Sequence, residues 1–197
     1  MQTSSSQQDS VYGGAAQPAA ARPAVTQLGA VQPAAAPPAA LHPDASRPVA
    51  ARPIGVFDSG VGGLTVAREI ARLLPHESIL YFGDTLRCPY GPRSLSEIQG
   101  FARQIACWLA GQDVKLIVIA CNSATAAGLE TVQRESAVPV IGVVEPGARA
   151  AVQATTARRV GVIGTAATIA SNIYARAIRG LDTGITTFSI ATPASSR

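Results

Sequence analysis

From Ile54 onward, short apolar runs alternate with segments of helical period, and this repeated exchange confines the chain to one kind of architecture. Ile54-Gly55-Val56-Phe57 leads into a Gly-rich loop. Leu64, Ala67, Ile70, Ala71 and Leu74 then share one helical face, and Pro75 stops the helix. Ser78–Phe82 reads as a second strand. Ser94-x-x-Glu97 predicts a capping box, opening a helix with Leu95, Ile98, Ala102, Ile105 and Leu109 on one stripe. Leu116–Ala120 is unbroken and apolar, as a strand covered on both faces should be. The pattern continues with a helix near 124–135, a strand over 140–144, a helix after Pro146, a strand over 160–163, a helix near 168–178 and a last apolar piece over 185–190. Five or six βα units in series predict an α/β fold with a parallel sheet and right-handed crossovers.

Composition changes at the same point. Residues 1–53 hold 15 Ala and 8 Pro with five charged residues, too little apolar surface to offset the entropy of ordering. A disordered Ala/Pro-rich tail is expected there, with no role assigned. Residues 54–150 are expected to form a first α/β domain, and 151–197 the start of a second. The net charge of +4 is spread over 16 basic residues without a cluster, which argues against a nucleic-acid partner. No apolar run approaches the roughly 18 residues of a membrane span, and no signal peptide is read at the N-terminus. A cytoplasmic protein is expected. The three cysteines, Cys88, Cys107 and Cys121, form no C-x-x-C pair, and His42 and His76 are the only histidines. A disulfide framework, a metal site and a Ser-His-Asp triad are therefore not expected.

In such sheets, ligands sit outside the carboxyl ends of the strands. The residues predicted there are Asp58-Ser59-Gly60, Gly83-Asp84 with the loop to Pro89-Tyr90-Gly91, Cys121-Asn122-Ser123, Glu145 and Gly164-Thr165. Short polar groups and one thiol suit a small zwitterion better than a polyphosphate. Cys121 ends a strand just before a helix, where unpaired amides and the dipole favour a thiolate. The alternative is an inert buried cysteine. Cys107, beside Trp108 inside a helix, is expected in the core. Cys88 is expected in an open loop without an activating base. Asp58 either braces its own loop or receives a ligand ammonium. Asp84 is expected to brace its loop, and Tyr90 to be a half-buried aromatic with its hydroxyl to water. The Gly60-Val61-Gly62-Gly63 loop fails the dinucleotide spacing because Thr65 stands where glycine is needed. Lys115, the sole lysine, precedes the third strand and so lies at the wrong edge for a pyridoxal Schiff base.

Together, Ile54–Leu64 (IGVFDSGVGGL), Tyr81–Ser94 (YFGDTLRCPYGPRS), Ile119–Ala126 (IACNSATA), Val140–Glu145 (VIGVVE) and Val160–Ser171 (VGVIGTAATIAS) resemble the glutamate racemase family of the aspartate/glutamate racemase superfamily. Ser123 stands where Thr is usual, and Cys88 is not a family position. The resemblance implies a two-domain α/β enzyme that interconverts L- and D-glutamate without a cofactor, by two thiols on opposite faces of Cα, supplying D-glutamate for peptidoglycan. It places Cys121 as one proton carrier. Asp58, Ser59, Tyr90, Gly91, Asn122 and Ser123 fall at substrate-contact positions, and Thr165 or Thr168 adds a further contact. Glutamate is the implied partner, with a homodimer as a possible assembly. The family's second thiol lies in a later Cys-Thr-His segment, which this sequence does not contain. The chain is therefore expected to be the N-terminal portion of a racemase, truncated within the second domain. Two other readings stand beside it: a non-catalytic amino-acid-binding or regulatory remnant, and a nucleotide-binding α/β domain.

Overall fold

The unbroken run at Leu116–Ile119 forms β3, flanked by β1 (Ile54–Asp58) and β4 (Val140–Gly142), with β2 (Ile79–Gly83) on the outer side of β1. All three pairings are parallel, and the order is β2-β1-β3-β4. The structure is a computed structural model and describes residues 48–192. Most of the expected tail, residues 1–47, and the last five residues lie outside the described part.

Alternation along the strands divides the first core into two layers. Phe57, Ile117 and Ile119 point to one face, where α2 (Leu95–Gly111) and α3 (Asn122–Glu135) cover them with Ile98, Ala102, Ile105, Leu109 and Val132. Ile54, Val56, Val118 and Ala120 form the other layer, beneath Val66, Ala67 and Ile70 of α1 (Leu64–Leu73). Each large aliphatic side chain buried in this way contributes about 1.5–3 kcal/mol. The expected capping box opens α2: Glu97 N–H donates to Ser94 Oγ at 3.3 Å, and Ser94 N–H donates to Glu97 Oε2 at 3.1 Å.

A second parallel pair, β5 (Arg159–Gly164) with β6 (Thr186–Ala191), carries α4 (Val144–Ala154), α5 (Ala166–Ala170) and α6 (Ile173–Leu181). Ala148, Val162, Ile178 and Ile185 make its core. Residue 150, the expected domain boundary, falls inside α4, whose buried Ala148 packs in this second cluster.

Local chemistry explains the departures from the expected elements. The helix expected near 168–178 is two helices, because Asn172 takes a left-handed backbone (φ 55°) between them. The helix expected after Pro146 begins at Val144, since proline is accommodated in a first helical turn. Leu64 and Leu74, expected on the inward face of the first helix, are exposed, and the buried arc is centred on Val66, Ala67 and Ile70. Cys107 is a correction. It is exposed, not core, because it lies about 200° around α2 from the inward Ile105, at about 100° per residue.

Candidate functional site

Parallel strands end together, so β1, β2 and β3 deliver Asp58, Asp84 and Cys121 to one edge. Cys121 is the N-cap of α3, in extended backbone, and its thiol is 6% exposed. Cys121 Sγ donates to Ser59 Oγ at 3.5 Å and accepts from Ala124 N–H at 3.5 Å. Burial pushes the thiol above its ordinary pKa. Hydrogen bonds that Ser59 and Ala124 can donate to the ionised sulfur pull it down, and the nearby Asp58 carboxylate pushes it up again. The net rise corrects the expectation of a favoured thiolate: the helix N-terminus acts as foreseen, but loss of water outweighs it.

Asp58 is buried, and its Oδ2 accepts the Gly60 N–H at 3.0 Å. A dinucleotide pyrophosphate would need that amide for itself. The Gly60–Gly63 loop folds down tightly. A methyl group at Gly63 would lie 2.6 Å from Asp58 Cβ and 2.9 Å from Ala120 Cβ. Tyr81, on β2, donates its hydroxyl to the Gly60 carbonyl at 3.1 Å. Burial, with the charges of Asp58 and Cys121, raises the Tyr81 phenol to about 12.

Tyr90 is 1% exposed and donates to the buried Asp84. This corrects the expectation of a half-buried ring with its hydroxyl to water. Arg87 pairs with the same carboxylate at 2.6 Å and lies 4.3 Å over the Phe101 ring, so the loop after β2 is braced from within. Asp84 is therefore a brace, as expected. Burial, followed by the Asp84 hydrogen bond and charge, raises the Tyr90 phenol well above its usual value. Gly91 is buried beside Thr165, whose Cβ would lie 3.0 Å from a methyl group placed there.

Three hydroxyls join α3 to α5. Ser123 Oγ lies 2.9 Å from Thr165 Oγ1 and 3.5 Å from Thr168 Oγ1, and the two threonines are 3.0 Å apart. Thr165 caps α5 through Thr168 N–H. Asn122 is exposed and accepts from the Tyr174 hydroxyl at 2.7 Å. The edge thus joins Ser59 and Cys121 by a hydrogen bond beside the Asp58 carboxylate, and Ser123, Thr165 and Thr168 into a second hydrogen-bonded group. Tyr90 and Asn122 have their polar atoms engaged by Asp84 and Tyr174. Cys88 is exposed on a loop that lies against Gly60. Glu145 sits exposed in the first turn of α4, paired with Arg149. Lys115 stands at the opposite edge, donating to the Ala50 carbonyl at 2.8 Å and to Glu77.

Sequence reasoning missed Tyr81 and Tyr174 as members of the site. A single phenol in an otherwise apolar strand, or on the inward arc of a helix, was the available signal. One cavity lies away from this edge and another borders it. A groove of about 720 Å³ runs between α2 and the end of α3, past Arg103, Cys107 and Glu135. A smaller cavity of about 320 Å³ touches Asn122, Thr165, Thr168 and Tyr174. Neither is lined by Asp58, Ser59 or Cys121, so the thiol group is placed by hydrogen bonding and strand geometry and not by cavity size. Among the described residues, no group of three or more His, Cys, Asp or Glu is placed to hold a metal ion. No described helix is long and apolar enough to cross a membrane.

Residues 54–193 match the family model described as Asp/Glu/Hydantoin racemase. A glutamate racemase of Exiguobacterium sibiricum is 56% identical over 139 residues, covering 71% of this chain and 51% of the relative. A solved glutamate racemase isoform of Bacillus anthracis is 53% identical with a TM-score of 0.69, covering 71% of this chain and 53% of that one. A glutamate racemase of Francisella tularensis, solved in complex with D-glutamate, is 46% identical with a TM-score of 0.66, over 71% and 52%. The chain spans about half the length of the curated relatives it matches.

Proposed function

For a chain that belongs to the Asp/Glu/Hydantoin racemase family, we propose that the Cys121 edge binds glutamate. In this reading Cys121 carries the α-proton on one face of Cα during interconversion of L- and D-glutamate. The observation that carries the reading is Cys121 itself, a thiol at a strand end and helix N-cap, hydrogen-bonded to Ser59 and beside the Asp58 carboxylate.

The α C–H is weakly acidic, so a base must be held against it in a site that stabilises the carbanion. The Cys121 thiolate takes the α-proton, and the electron pair spreads from Cα into the carboxylate. Donation to the opposite face requires a second acid, which the resemblance puts in a Cys-Thr-His segment absent from this sequence. Burial raises the pKa of this thiol and so opposes the thiolate. A substrate ammonium entering beside Asp58 supplies the positive charge that a buried thiolate needs. The hydroxyls of Ser123, Thr165 and Thr168, bonded to one another at this edge, are the donors that would turn to a substrate carboxylate. The reaction is read as cofactor-free, cytoplasmic and supplying D-glutamate to peptidoglycan. It invokes neither nucleic acid nor membrane, and a homodimer is compatible with it. The first domain is read as ending before α4, and residues from Val144 onward as the start of the second.

One observation favours a second reading, binding without turnover: among the described residues Cys121 is the one buried thiol at this edge, and burial raises its pKa. A Cys-Thr-His segment continuous with this reading frame separates the two. The binding step common to both is tested by alkylation. Saturating glutamate should slow modification of Cys121 and leave Cys107, on the outward face of α2, unaffected. Equal protection of both, or of neither, contradicts glutamate binding at this edge.

A further inference from the structure

We propose that Tyr81 is a positioning residue for Cys121, acting through the loop that carries Ser59. This rests on the reading of Cys121 as the proton carrier, and it names the group that sets the geometry of that thiol.

Three features converge on the loop. The Tyr81 hydroxyl donates to the Gly60 carbonyl at 3.1 Å, one residue beyond Ser59. The Gly60 amide is held by Asp58 Oδ2 at 3.0 Å. A methyl group at Gly63 would meet the Tyr81 hydroxyl at 3.1 Å, and one at Gly83 would meet Tyr81 Cε1 at 3.3 Å. The loop is therefore seated on the phenol, with glycine at the points of closest approach. Ser59, immediately before the doubly anchored Gly60, presents Oγ to Cys121 Sγ at 3.5 Å. When the thiol ionises, the Ser59 hydroxyl turns to donate to the thiolate, and this opposes the burial that raises the thiol's pKa. Without the Tyr81 hydroxyl the loop keeps the Asp58 anchor but loses the one from β2, and Ser59 is no longer held against sulfur. The phenol itself stays protonated in the working range, because its pKa is raised to about 12.

The titratable groups in the field of Cys121 are Asp58 from β1, Tyr81 from β2 and Tyr90 from the loop after β2. A tyrosine that only packs on the sheet would affect stability. One that positions Ser59 makes the thiol's response to Ser59 depend on the phenol. The experiment is a cycle of Tyr81→Phe, Ser59→Ala and the double variant in the full chain. Iodoacetamide modification of Cys121 is followed against pH by peptide mass spectrometry, with no substrate present. Ser59→Ala should move the Cys121 profile up by about one pH unit, the scale of a lost hydrogen bond to a charged acceptor. Tyr81→Phe should move it in the same direction, and Ser59→Ala should then add nothing. Hydrogen exchange supplies a second readout: faster exchange over residues 59–63 in Tyr81→Phe, with α2 and α3 unchanged. Shifts that add, or an unmoved profile in Tyr81→Phe, overturn the proposal. Because the cycle uses no glutamate, failure of the racemase reading would leave its outcome untouched and would show instead in substrate protection of Cys121.

Discussion

Gly63→Ala should destabilise this protein, whereas Gly100→Ala should stabilise it, and the contrast tests how the loop is seated. Gly63 already has right-handed helical backbone (φ −66°, ψ −10°), so alanine brings no conformational strain. Backbone entropy alone would favour alanine by about 0.4–1 kcal/mol. Against this, the new methyl group would lie 2.6 Å from Asp58 Cβ and 2.9 Å from Ala120 Cβ. Both neighbours are fixed to the ends of adjacent strands and cannot swing away as the tip of a long side chain could. Overpacking of this kind costs about 1–3 kcal/mol. The net expectation is a loss of about 1–2 kcal/mol, or about 3–8 °C in melting temperature for a domain of this size. Gly100 lies inside α2, and nothing stands within 4 Å of an added methyl group. There the helix preference is unopposed, and alanine should gain about 0.5–1 kcal/mol. The assay is urea unfolding followed by circular dichroism on both variants. Equal stabilisation by the two substitutions would refute the close seating of the loop on β1 and β3.

Three further outcomes follow from the same geometry. At pH 7.5 iodoacetamide should modify Cys88 and Cys107 before Cys121, since the first two are exposed and the third is buried with its thiol pushed up; early modification of Cys121 would contradict that burial. Stability should fall as pH rises above about 8.5, because the Cys121 thiol and the Tyr81 phenol hold their protons longer in the folded chain than in the unfolded one. Unfolding titrations at pH 8, 9 and 10 should show that fall, and Cys121→Ser should remove its first part. A truncation that begins at Pro53 should melt lower than one that begins at Pro48, by a few °C, because it removes the Ala50 carbonyl from Lys115 and Arg52 from its 3.1 Å pair with Asp113.

The strands and the α2 cap were legible in the sequence because each rests on local spacing. Leu116–Ile119 has no polar interruption, and Ser94 and Glu97 stand at the capping-box separation. The site was legible as an edge, since parallel strands must end together, and this brings Ser59 to Cys121 across 62 residues. What was not legible depends on phase and depth. Cys107 has apolar neighbours on both sides in sequence, but it points outward because the inward arc is fixed by packing on α3. Cys121 sits where a helix N-terminus favours a thiolate, yet burial at the sheet edge outweighs the hydrogen bonds of Ser59 and Ala124 and reverses the outcome. The bond from the Tyr90 hydroxyl to Asp84 was not legible, because the fold of that loop onto Asp84 leaves no mark in spacing.

The central claim, that Cys121 serves one face of the glutamate α-carbon, is tested most directly by deuterium exchange. L-glutamate and D-glutamate are incubated separately with the chain in deuterated buffer, and α-deuteration is read by mass spectrometry for the unmodified protein and for Cys121→Ser. The account predicts exchange confined mainly to one enantiomer and abolished in Cys121→Ser. Exchange that is equal for both enantiomers, or that survives the substitution, would contradict it.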